Sequence, residues 1–167
     1  MEFLGRSSVN QLKSFAKGKI LLFTTKGNHK RFAEILNSIL YGLDVTIFED
    51  ITPNTKYDEI IRAQELFSDI DFDTLIAFGG GSVIDFAKAF KFYNEAKIPL
   101  IAIPTTAGTG SETTQFAVVY VNGEKTSIDK PEIKPDIAIV DSQFIENSPR
   151  YLKACAGMDA FCHAIES

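Results

Sequence analysis

The segment Gly79-Gly80-Gly81-Ser82-Val83-Ile84-Asp85-Phe86-Ala87-Lys88 joins three consecutive glycines to an apolar stretch of helical character. Just ahead of it, Thr74-Leu-Ile-Ala-Phe78 has the length and composition of a strand. Glycines at such a junction let the backbone approach a ligand closely and adopt conformations that a side chain forbids. Ser82 is the expected N-cap, so the next amides point out of a helix N-terminus, where donors and dipole together stabilise an anion. An ordinary strand-to-helix turn needs one glycine. Three with a cap point to a seat for phosphate.

Two further groups carry chemistry. Pro104-Thr-Thr-Ala-Gly-Thr-Gly-Ser-Glu112 is a loop with four hydroxyl side chains in nine residues, more than a surface turn requires. Near the end of the chain, Asp159 and His163 are four apart in a segment of helical composition and so share one helix face. Their neighbours, from Leu152 to Ile165, are apolar nearly all the way round, which is the pattern of a helix enclosed by other structure. An aspartate and a histidine in such surroundings are costly unless paired. Spacing alone leaves open whether they bond to each other or hold a metal. Cys155 and Cys162 fall in the same helix two turns apart, too far for a disulfide, and read as reduced packing residues.

The elements that position these groups alternate along the chain. Strands are expected at Lys19–Thr25, Leu43–Phe48, Asp73–Phe78, Pro99–Ile103 and Asp136–Val140, with helices from about His29 to Leu40, Tyr57 to Phe67 and Ser82 to Phe92. Apolar strands separated by amphipathic helices describe an α/β fold, a doubly wound parallel sheet whose ligands bind outside the strands' carboxyl ends. Asn122-Gly123, flanked by Gln115–Val121 and Lys125–Ile128, signals a β-hairpin. The glycine turn and Pro104-Thr105-Thr106 both follow strand ends and therefore share one sheet edge.

Composition narrows the class. With 167 residues, 45% of them hydrophobic, the chain can bury one core. Residues 1–148 form one expected unit and residues 149–167 a helical extension. A net charge of −5 argues against nucleic acid or an anionic membrane as partner. No apolar run approaches the ~18 residues needed to cross a bilayer. The first residues lack the apolar core of a signal peptide, which makes the cytoplasm the expected compartment.

Taken together, the motifs Gly79 to Lys88, Pro104 to Glu112 and Gly157-Met-Asp-Ala-Phe-Cys-His-Ala-Ile-Glu166 resemble, in order, those of the N-terminal half of iron-containing (group III) alcohol dehydrogenases. Lys134-Pro-Asp-Ile-Ala-Ile-Val-Asp141 is similar to the family's strand ahead of its helical domain, and Asp50-Ile-Thr-Pro-Asn54 to a stretch of its phosphonoacetaldehyde reductases. The resemblance implies a Rossmann-like domain of the dehydroquinate synthase type, holding NADP or NAD. It places the pyrophosphate on Gly79, Gly80, Gly81 and Ser82, with Thr105, Thr106 and Thr109 towards the ribose and nicotinamide. Asn54 and Lys125 match positions near the cofactor. Many NAD-preferring relatives carry an aspartate where Thr25 falls. A carboxylate there repels the extra phosphate of NADP and threonine does not, which favours acceptance of NADPH.

Asp159 and His163 match the first two of the family's four ligands for a divalent metal, Fe2+ above Zn2+. The other two ligands in the family are histidines of a helical C-terminal domain that this sequence does not contain. The implied activity is hydride transfer between nicotinamide and a small alcohol or aldehyde, and the implied state of the chain by itself is inactive. A catalytically inactive nucleotide-binding module is the other reading. Met1-Glu-Phe-Leu4 is shorter than the family's usual N-terminal strand, which bears on whether a homo-oligomer forms.

Overall fold

The computed structural model describes residues 1–146 and 148–166, the side chain of His163 excepted. Eight strands are present among them: β1 (Glu2–Leu4), β2 (Lys19–Phe23), β3 (Asp44–Phe48), β4 (Thr74–Gly79), β5 (Leu100–Pro104), β6 (Phe116–Val121), β7 (Glu124–Asp129) and β8 (Ile137–Val140). The helices are α1 (Leu12–Phe15), α2 (Lys26–Arg31), α3 (Ala33–Leu40), α4 (Tyr57–Leu66), α5 (Gly81–Tyr93), α6 (Gln143–Glu146) and α7 (Arg150–Glu166). Six strands form a parallel sheet in the order β1-β8-β5-β4-β2-β3, while β6 and β7 pair as an antiparallel hairpin.

Alternating side chains divide each central strand between two cores. Leu21, Phe23, Leu75, Ala77, Leu100 and Ala102 face the layer of α4 and α5, whereas Ile20, Leu22, Ile76, Phe78, Ile101 and Ile103 face that of α1 and α3. Both faces are apolar, so these strands read as continuous hydrophobic runs. The hairpin turns at Asn122 and Gly123, with φ of 52° and 83°, the left-handed pair that a two-residue turn requires. It is tied to the rest of the fold by Tyr120 N donating to Thr55 O at 2.8 Å.

Two local expectations are revised. The helix from His29 to Leu40 is two helices, broken at Phe32, whose φ and ψ are −112° and 20°. The break lets Phe32 sink edge-on against Phe78 and Phe144, at 5.5 Å and 5.2 Å between centroids. Ser82 is not the N-cap of α5: Gly80 occupies that position and the helix begins at Gly81. The short N-terminal segment still forms a strand, pairing Phe3 with Ile139 at the sheet edge. Among the described residues no helix is long and apolar enough to cross a membrane.

Candidate functional site

Strands β2 and β4 are neighbours, but the chain leaves them for opposite faces of the sheet. From β2 it runs through α2 and α3, which pack on one face, and from β4 it enters α5 on the other. Divergence of this kind opens a crevice at the carboxyl ends of the two strands, the topological switch point where doubly wound sheets take ligands. Thr24 closes its floor by donating from Oγ1 to Phe78 O at 2.8 Å. On the far side of β4, Gly79 and Pro104 are Cα partners, so the glycine turn and the hydroxyl loop start level with each other.

The glycines of the turn have separate roles. None has a positive φ, so the expectation of a backbone that only glycine can adopt does not hold there. What they permit is close packing. A Cβ on Gly79 would lie 2.5 Å from Val83, one on Gly80 3.0 Å from Thr106 Oγ1, and one on Gly81 3.2 Å from Thr109 Cγ2. The turn and the loop therefore meet so closely that a methyl group on Gly80 or Gly81 would press on the facing threonine. The first amides of α5 lack intrahelical acceptors by helix geometry, which leaves Gly81 and Ser82 as donors at this edge.

A cleft of about 550 Å³ opens beside that contact, lined by Asn54, Thr55, Gly81, Ser82, Asp85, Thr109, Ser111, Thr114, Phe116, Val118, Tyr120, Lys125 and Asp159. Of the residues expected at the site, Asn54, Gly81, Ser82, Thr109, Lys125 and Asp159 are brought together in it. Asn54 is left-handed, with φ of 61°, and its amide donates to Ser82 Oγ at 3.4 Å. Thr55 Oγ1 donates to Ser82 O at 2.8 Å, binding the 52–55 turn to the start of α5. That turn is itself braced by Glu59, which accepts from the Thr52 amide at 3.1 Å and from its hydroxyl at 2.5 Å.

Thr25 lies apart from this cleft. It lines a second cavity of about 460 Å³ with Lys26, Glu49, Asp50, Glu59 and Arg62 at the ends of β2 and β3. Its hydroxyl caps α2, accepting from the Asn28 amide at 3.1 Å. Asn28 Nδ2 reaches Thr105 Oγ1 at 3.4 Å, so the cap of α2 and the hydroxyl loop are one bond apart. Lys26 and Asp50 pair at 2.5 Å across the rim. The bond from Asp50 raises the lysine, and the same contact lowers the carboxyl.

Sequence reading missed the polar network behind the cleft. Ser111 Oγ donates to Asp85 Oδ1 at 2.6 Å, and the Val118 amide donates to Asp85 Oδ2 at 3.1 Å. Burial raises the Asp85 carboxyl against the opposing effect of these bonds and of Lys88. Lys88 has no exposed surface and donates to Ser111 Oγ at 3.1 Å, Thr114 Oγ1 at 3.4 Å and Phe116 O at 2.8 Å. Burial lowers it to about 8, partly offset by Asp85 and Glu112. The one local signal was an aspartate and a lysine three apart, sharing a face of α5.

Helix α7 differs from its expected setting. Of its described side chains only Ala156 is even half-buried; Met158 is 60% and Phe161 58% exposed. Cys155 and Cys162 are free thiols on its surface and pack against no core, contrary to their expected role. A Cβ on Gly108 would strike the Ala156 carbonyl, so the hydroxyl loop and α7 touch backbone to backbone. Asp159 reaches the cleft wall, whereas the His163 side chain lies outside the described residues. Among the described residues no three His, Cys, Asp or Glu side chains gather as a metal shell requires. The first amides of α5 fit a dinucleotide's pyrophosphate, and of the two expected metal ligands only Asp159 has a described side chain.

Known proteins share this arrangement. The model of the iron-containing alcohol dehydrogenase family matches residues 3–142. An NADPH-dependent butanol dehydrogenase of Clostridium saccharobutylicum is 34% identical over 99% of the chain and 49% of the relative. An NAD-dependent methanol dehydrogenase of Bacillus methanolicus is also 34% identical, over 98% and 50%. The solved iron-containing alcohol dehydrogenase of Thermococcus thioreducens superposes with a TM-score of 0.87 at 28% identity, covering 95% of this chain and 50% of that one. The chain thus spans about half the length of the relatives it matches. With its switch-point crevice, glycine turn and hydroxyl loop, it belongs to the iron-containing alcohol dehydrogenase family.

Proposed function

We propose that this chain is the dinucleotide-binding half of an oxidoreductase that transfers hydride between a nicotinamide cofactor and a small alcohol or aldehyde. The observation that carries this reading is the meeting of Gly80 and Gly81 with Thr106 and Thr109 beside a cleft at the carboxyl end of β4. The cofactor's pyrophosphate rests on the Gly80, Gly81 and Ser82 segment, where amides and helix dipole favour it. Gly79 supports the turn from behind. Thr105, Thr106 and Thr109 face the ribose and nicotinamide, Asn54 and Lys125 close the cleft from the other side, and Thr25 marks the adenosine end.

Both cofactors remain in the reading, since one relative is named for NADPH and the other for NAD. Thr25 in place of a carboxylate tilts it towards NADPH. The two relatives are named for butanol and methanol, which supports simple alcohols and gives nothing to narrow the substrate to a phosphonoacetaldehyde. In the metal part of the reading, Asp159 and His163 supply two ligands of a larger shell. We divide the chain into residues 1–148, which bind the cofactor, and 149–167, which open a helical unit.

The second reading is a dinucleotide-binding module without turnover. Turnover of an alcohol in the presence of Fe2+ or Zn2+ separates the two.

Binding itself is tested by calorimetry with NADPH and NADH on the wild-type chain and on Gly80→Val. The variant side chain fills the approach to the turn, so affinity should fall at least tenfold, about 1.4 kcal/mol. Equal affinity in a folded variant removes the glycine turn from the site.

A further inference from the structure

The cleft reading leaves one buried cation without a task. Lys88 is fully enclosed, yet it does not line the cleft; its three acceptors, on Ser111, Thr114 and Phe116, all belong to residues that do. We propose that Lys88 is the positioning residue of the cleft wall, the hydrogen bonds of its Nζ fixing segment 111–116 so that the hydroxyl loop stays closed on the glycine turn. The inference rests on the dinucleotide reading for its functional consequence, but not for its structural one.

An ammonium offers three donors and here meets three oxygen acceptors, two hydroxyls and a carbonyl. Ser111 spends its only proton on Asp85 Oδ1, so towards Lys88 it acts as an acceptor. Asp85 also accepts from the Val118 amide, which carries the chain of bonds from α5 through the loop to the hairpin. The charged groups facing Lys88 are Asp85 on its own helix and Glu112 on the loop, while the hairpin contributes the Phe116 carbonyl. Packing alone does not call for this residue: the neighbours Ile84, Ala87 and Phe86 are buried and apolar, and an apolar side chain would avoid burying a charge. A network of this kind specifies one loop geometry because every member is satisfied.

The test uses methyl resonances of Thr114 and Val118 in the intact chain, followed from pH 7 to 9.5, together with calorimetry for NADPH. In wild type both methyls should titrate with a midpoint near 8. In Lys88→Met the titration should vanish and NADPH affinity should fall at least tenfold. Ser111→Ala, which keeps the lysine, should leave the Thr114 response and weaken that of Val118. It decides the matter if Lys88→Met does not fold. A wild-type titration persisting unchanged in Lys88→Met, or a Val118 response unchanged in Ser111→Ala, overturns the proposal. Should wild type bind no dinucleotide, the dinucleotide reading fails, and the methyl titrations still decide whether Lys88 holds the wall.

Discussion

The Thr105 amide donates to the Gly79 carbonyl at 2.9 Å, so the first threonine of the hydroxyl loop is hydrogen-bonded to the first glycine of the turn. The bond continues the β4–β5 ladder one step beyond the Gly79–Pro104 pair. Everything at the site follows from that level start. The turn bends into α5 while the loop packs against it, Thr106 facing Gly80 and Thr109 facing Gly81.

Gly79 should matter for stability rather than for ligand approach. A methyl group at this position would overlap the buried Val83 side chain, which has nowhere to retreat. Gly79→Ala should therefore lower stability by about 1–3 kcal/mol, the usual cost of overpacking. Urea denaturation measures it, and an unchanged midpoint would mean that the turn relaxes freely.

The strand end at Thr25 should set cofactor choice. Aspartate caps helices as well as threonine does, so Thr25→Asp should keep α2 intact while adding a carboxylate to the rim. NADPH affinity should drop at least tenfold more than NADH affinity, about 1.4 kcal/mol of discrimination. Parallel losses for the two cofactors, by calorimetry, would place the adenosine ribose elsewhere.

Stability should depend on pH through Lys88. Its folded value of about 8 lies below the ordinary 10.5, so between these values the unfolded chain binds more protons than the folded one. Stability from this group therefore rises with pH across that window, is complete above the unfolded value and is lost as pH falls through about 8. Melting temperatures of wild type and Lys88→Met, compared from pH 7.5 to 10, should shift in favour of wild type as pH rises. A constant difference would mean that the lysine titrates normally.

The architecture was legible because each central strand is apolar on both faces and β2, β3 and β4 are each followed by a helix of distinct period. Leu75, Ile76, Ala77 and Phe78 could only belong to a covered sheet. The hairpin was legible from Asn122-Gly123, since few other pairs reach a positive φ twice running. Less visible were features that depend on tertiary packing. The break at Phe32 comes from rings contributed by Phe78 and Phe144, far away in sequence. The cap of α5 fell to Gly80 because Ser82 already serves Asn54 and Thr55. Lys88 went unread because its acceptors arrive from residues 111–116, which no local pattern connects to α5.

The most direct test of a dinucleotide seated on the glycine turn follows the backbone amides of the labelled chain as NADPH is added. Shifts should concentrate at Gly80, Gly81 and Ser82, extend to Thr105, Thr106 and Thr109, and spare the cavity lined by Phe92, Tyr93 and Lys97 at another part of the surface. Saturating changes confined to that other cavity, or none at the turn at any NADPH concentration, would contradict the assignment.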